Sequence, residues 1–154
     1  NMGTELTAQT LTVTVTEALA VDHANGSTND IDFAQTYTHT YGSIANVNKR
    51  IIKLANTNLT EIATLGSDTA DGAFVRADIR YIRVTNLDSS DVLQVGLDDE
   101  ASDAAYVEVA ADSSIIFTGT KCEGDNGGTT LDNATALKVK GSANQQLELF
   151  IASV

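Results

Sequence analysis

From Ala77 to Asp99 the chain reads ADIRYIRVTNLDSSDVLQVGLDD, two runs with apolar residues at every second position around a polar hexamer, Asn86 to Asp91. Period-two alternation is the pattern of a half-buried β-strand. The stretch therefore predicts a central hairpin, with Asn86 to Asp91 as the turn that fixes its register. Within its first run the apolar side changes near residues 80 to 82: Val75, Ala77, Ile79 and Tyr81 share one face, and Ile82 and Val84 take the other. A strand that changes face in this way contains a bulge or bends across a sandwich edge.

The same alternation recurs along the chain. Leu11, Val13 and Val15 alternate with Thr10, Thr12, Thr14 and Thr16, the cleanest strand pattern present. Ile31 to Tyr41 predicts a less regular edge strand after a loop, Asp22 to Asp30, that contains an Asn25-Gly26 turn signal. Val47 to Ala55 and Leu59 to Leu65 read as two strands joined at Asn56 to Asn58. Ile51, Leu54 and Ala55 also have helical spacing, so a helical turn competes there. Val92 to Leu97, Tyr106 to Val109, Ser114 to Thr118, Ala136 to Lys140 and Leu147 to Ile151 complete the series.

Composition agrees with this pattern. Threonine is abundant and β-branched, which suits the solvent face of a pleated sheet. Proline is absent, so Asn, Asp, Ser and Gly must make the turns. A length of 154 residues suits one core without crosslinks, and the single cysteine, Cys122, excludes an intrachain disulfide. The expected fold is one all-β domain over residues 1–154, an antiparallel, jelly-roll-like β-sandwich of about eight to ten short strands. Residues 1–16 are expected to serve as a strand or arm contacting a neighbouring subunit.

A net charge of −12 argues against nucleic acid and against anionic membrane as partners, since both select basic surfaces. No apolar run approaches the roughly 18 residues of a membrane span. The charge is uneven: Val84 to Thr120 holds eight carboxylates and no Lys or Arg, whereas Lys49, Arg50 and Lys53 cluster where no acid lies between Asp32 and Glu61.

Chemical motifs are weak. Asp98, Asp99, Glu100 and Asp103 are the best calcium candidates, but their spacing does not match an EF-hand loop. The groups Asp68, Asp71 and Gly72, and Glu123, Asp125 and Asn126, also lack the alternating acidic order. His23 and His39 have no nucleophile elbow or paired histidine beside them, so no catalytic residue and no cofactor is expected. A calcium-dependent carbohydrate-binding module is an alternative, against which stands the absence of tryptophan for stacking on sugars.

The segments YIRVTNLDSSDVLQVGL, from Tyr81 to Leu97, and YVEVAADSSIIFTG, from Tyr106 to Gly119, resemble small virion structural proteins of tailed, especially marine, bacteriophages. Asn48 to Ile51 and Thr60 to Ile62 share that likeness. The resemblance implies a non-enzymatic protein located in the virion, a capsid decoration or cement protein that stabilises the shell, or alternatively a tail or fibre component. Its implied partners are copies of itself, as a homo-oligomer such as a trimer, and a major capsid or tail protein. Leu11, Val13 and Val15, as an added strand, and Lys49, Arg50 and Lys53, as a charged patch, are the expected interface residues.

Overall fold

The computed structural model describes residues 9–21, 31–66, 74–98, 105–118 and 134–154. Its strands are β1 (Gln9–Val21), β2 (Ile31–Ile44), β3 (Asn46–Lys53), β4 (Thr60–Gly66), β5 (Phe74–Val75), β6 (Ile79–Asn86), β7 (Leu93–Asp98), β8 (Ala105–Val109), β9 (Ser114–Thr118), β10 (Ala136–Lys140) and β11 (Gln146–Ser153). A single 3-10 turn, Arg76–Asp78, is the only helical piece among the described residues. The competing helical reading of residues 47 to 65 fails, because β3 and β4 each take a partner strand on a different sheet.

Two sheets form the body. One runs in the order β5-β4-β10-β7-β8 and the other β3-β11-β6-β9, with every pairing antiparallel except the short β4-β5 contact. Their inward side chains meet in one core. Ile62, Leu65, Leu93, Val95, Leu137 and Val139 come from the first sheet, and Ile82, Val84, Leu147, Leu149 and Ile151 from the second. This is the all-β sandwich that the alternation implies: each strand gives one side to the core, and removing that apolar area from water drives the sheets together.

The central hairpin does not exist. β6 pairs with β11 and β9, whereas β7 pairs with β10 and β8, so residues 87–92 carry the chain from one sheet to the other. The corner is held by a buried amide cluster. Asn86 Nδ2 donates to the carbonyls of Asp91 (2.7 Å), Ala110 (3.1 Å) and Val109 (3.2 Å), and Asn86 Oδ1 accepts from the Asp88 amide (3.1 Å). Gln145 Nε2 donates to Asn86 Oδ1 at 3.0 Å, while Gln145 Oε1 accepts from the Ser142 amide at 2.7 Å. Both side chains are buried, so these bonds satisfy polar atoms that would otherwise cost on the order of 1–3 kcal/mol each. One cluster thereby ties three connections at one end of the sandwich.

The expected face change is present. Tyr81 pairs with Ala152 and Ile79 with Ser153, which leaves Arg80 as an extra residue. This bulge lets Ile79 and Ile82 both enter the main core while Tyr81 turns outward. A second bulge lies in β4, where Glu61 and Ala63 have consecutive partners on β10 and Ile62 has none.

The remaining strands form a separate two-stranded sheet. β1 and β2, 13 and 14 residues long, pair from Gln9–Ile44 to Val21–Ile31. At about 3.3 Å per residue the hairpin is some 43 Å long. The segment expected to be an irregular edge strand is thus the regular partner of β1. Near its base a register irregularity and Ser43 in the left-handed region (φ 61°) turn the chain into β3.

Candidate functional site

Strand pairing gives the hairpin two unlike faces. Thr12 lies opposite Thr40, Thr14 opposite Thr38 and Thr16 opposite Thr36, a threonine ladder whose last two pairs approach at 3.4 Å between hydroxyl oxygens. The other face carries Leu11 opposite Tyr41, Val13 opposite His39, Val15 opposite Tyr37, Glu17 opposite Gln35 and Leu19 in register with Phe33. Its lower part rests on the outer side of the four-stranded sheet: Val13 and Ile44 are buried with Tyr81 and Ala152, and Leu11, Tyr41, Phe150 and Val154 pack around them. Tyr81 and Phe150 meet edge to face, with ring centroids 5.5 Å apart. Higher up the cover ends. Val15 is 38 % exposed, Tyr37 50 % and Leu19 60 %.

These positions revise the expected interface. Leu11 and Val13, expected to contact a neighbouring subunit, lie against the body of their own chain; Val15 stays exposed. Of the expected arm, residues 1–16, the part from Gln9 pairs with β2, and residues 1–8 lie outside the described residues. Tyr37 and Leu19 are not among the expected interface residues, although the alternation of Tyr37, His39 and Tyr41 carries the signal once β2 is set against β1.

The basic trio separates for the same reason. Lys49 and Lys53 project from the outer side of β3, while Arg50 turns inward, because neighbouring strand residues point to opposite faces. Arg50 reaches across the open side of the sandwich and donates to the carbonyl of Ile62, the residue left unpaired by the β4 bulge. It is a clasp between sheets and not part of an outward patch. On the outer side, Glu148 accepts from Arg83 and lies 3.6 Å from Lys49 Nζ. Partial burial opposes ionisation of Glu148, but the hydrogen bond and charge of Arg83, with Lys49, outweigh it and hold the carboxyl below its usual range. Val47 and Ile51 stand beside the lysines, 47 % and 64 % exposed. β3 is the end strand of its sheet.

Of the calcium candidates, Asp98 is an ion-pair residue: Lys138 Nζ lies 2.5 Å from Asp98 Oδ2, and that hydrogen bond raises the lysine pKa. Asp99, Glu100 and Asp103 lie outside the described residues, as do His23, Asp68, Asp71, Cys122, Glu123 and Asp125. Among the described residues no cluster of three or more His, Cys, Asp or Glu side chains is placed to hold a metal. Among the described residues, one recess of about 250 Å³ is lined by Asn48, Arg50, Glu61, Thr64 and Phe74, and another of about 250 Å³ by Asp91, Gln94, Lys140 and Ser142. Each is shallow and polar; in the first the Thr64 hydroxyl donates to Glu61 Oε1 at 2.6 Å on the exposed surface.

The fold and its surfaces together define an antiparallel β-sandwich that carries a long hairpin and a lysine-bearing open edge. No family model, no curated protein and no solved structure matches the chain.

Proposed function

We propose that this chain is a non-enzymatic structural protein of a bacteriophage virion, a decoration or cement protein that binds the assembled shell and stabilises it. The observation that carries this reading is the hairpin: a 43 Å element, by the spacing of about 3.3 Å per residue, whose upper apolar face has no cover among the described residues. Exposed aliphatic and aromatic side chains on a preformed strand pair are costly in an isolated molecule and useful in one that assembles. The strand order β4-β10-β7-β8 against β3-β11-β6-β9, with strands exchanging sheets at nearly every connection, supports a jelly-roll reading, an architecture found in viral coat proteins.

Stabilisation would follow from mass action. A protein that binds the assembled shell and not its free subunits lowers the free energy of the shell alone. Localisation tests the reading directly. Gold-labelled antibody against the chain, applied to particles of the phage that encodes it, should decorate the whole shell. Label confined to the tail would move the same fold to a tail or fibre role, and particles without the protein would overturn the virion assignment.

A further inference from the structure

The uncovered face of the hairpin has a counterpart on the same molecule. Along β1 it presents Val15, Glu17 and Leu19 at every second residue, all exposed: apolar, acid, apolar. The outward side of β3 presents Val47, Lys49 and Ile51 at the same interval: apolar, base, apolar, again all exposed. Both strands are also sheet margins. Among the described residues β1 pairs only with β2, and β3 only with β11.

We infer that the upper hairpin of one copy adds along the β3 edge of a second copy, with Glu17 opposite Lys49, to give a strand-linked homo-oligomer. Directly opposed residues on paired strands lie about 5 Å apart. With Glu17 opposite Lys49, Val15 and Leu19 fall opposite Val47 and Ile51. That match holds for parallel and antiparallel addition alike, because each triplet is symmetric about its charge.

Charge singles out a second copy as the occupant. A chain of net charge −12 repels itself unless the contact joins opposite signs. Lys49 and Lys53 give β3 a basic outward side, and Glu17 is the only carboxylate among the described side chains of the hairpin's apolar face. Edge lysines ordinarily deter strand addition. Here they reject an uncharged strand and admit one that brings an acid to the right position, which is selectivity by repulsion. Lys49 is able to take a second acid, since its 3.6 Å contact with Glu148 is exposed on the lysine side and Arg83 is the closer partner of that carboxylate.

The inference deepens the assembly reading and rests on it for purpose only, so its test uses the purified chain without particles. In a Cys122→Ser background, a chain carrying Glu17→Cys is mixed with one carrying Lys49→Cys under mild oxidation. The expected product is a disulfide-linked heterodimer, in clear excess over what either chain forms alone. Equal crosslinking of the Glu17→Cys chain with itself would mean that hairpins meet each other and would overturn the β3 assignment. So would absence of crosslinks together with monomers in sedimentation.

In the uncrosslinked protein, Glu17→Lys should weaken self-association, and Lys49→Glu in the same chain should restore it. The denaturation midpoint read at high dilution should stay within experimental error in the first variant, which separates lost assembly from lost folding. If crosslinking fails while particles still carry the protein, β3 is not the acceptor and the virion role stands. Crosslinking without any particle label would reject the virion role and leave the strand addition intact.

Discussion

The sandwich body and the hairpin use the same sequence pattern and end in opposite states. In β11 the alternating residues Leu147, Leu149 and Ile151 are fully buried. In β1 an equally clean alternation begins against the body at Leu11 and Val13 and then runs out into solvent at Val15 and Leu19. Alternation assigns apolar residues to one face of a strand; whether that face is covered depends on a second layer. β11 receives that layer twice, from the opposite sheet and from the hairpin base, whereas among the described residues the hairpin receives it only at its foot.

The largest test of this contrast is a pair of leucine truncations. Leu149→Ala should lower unfolding free energy by about 2–5 kcal/mol, through lost burial and the cavity left behind. Leu19→Ala should change it by no more than about 0.5 kcal/mol, as for an exposed residue. Urea denaturation of the two variants in parallel reads both, and a large loss from Leu19→Ala would mean that the hairpin folds back under cover in solution.

Next in size is the corner amide. Asn86→Asp sets a carboxylate against the carbonyls of Asp91, Val109 and Ala110, all of which require a donor. A loss on the order of 3 kcal/mol is expected from unsatisfied and repelling buried groups. No position on the described hairpin should approach that sensitivity to so small a change. Equilibrium unfolding with intact secondary structure checked by circular dichroism decides it.

Gly141→Ala should cost somewhat less, about 1–3 kcal/mol, as for an overpacked site. A methyl there would stand 2.1 Å from Gln145 Oε1 and 3.0 Å from Leu54 Cδ1, and Gln145 is pinned by the same cluster. By contrast nothing lies within 4 Å of the corresponding position at Gly42 near the hairpin base. A melting shift at Gly141 without one at Gly42 would bear out the difference.

The smallest effect concerns pH. Glu148 on the body is held below its usual range, so its ion pairs with Arg83 and Lys49 contribute stability above the unfolded carboxylate value of about 4.3. That contribution is lost as pH falls through the lower folded value. Melting temperature should therefore drop on acidification, and Glu148→Gln should make the acid limb shallower while lowering the neutral plateau. An unchanged acid limb would show that the outer-face pairs contribute nothing measurable.

How far the fold was legible depends on the range of the interaction behind each feature. Nearest-neighbour patterning placed the strands: β1, β3, β4 and β6 to β11 lie close to their alternating runs, and the Asn56 to Asn58 connection and the bulge at Arg80 were both visible as local breaks. The site was less legible. Val15 was recognised, but Leu19 and Tyr37 acquire meaning only when β2 is set in register with β1, and the separation of Arg50 from its lysine neighbours matters only once β4 lies beneath it.

The sequence by itself determined an all-β chain, its strand positions, its acidic surface and the pairing of apolar and polar sides on each strand, because these follow from residue type and a period of two. Only the tertiary structure decided which strands share hydrogen bonds. A hairpin turn and a sheet-to-sheet corner present the same local pattern of two alternating runs around a polar link. Residues 87–92 are a corner because β6 finds β11 and β9, β7 finds β10 and β8, and Asn86 finds Gln145 far along the chain. Strand partners and buried amide bonds are chosen by packing across the whole molecule, and local alternation carries no record of that choice.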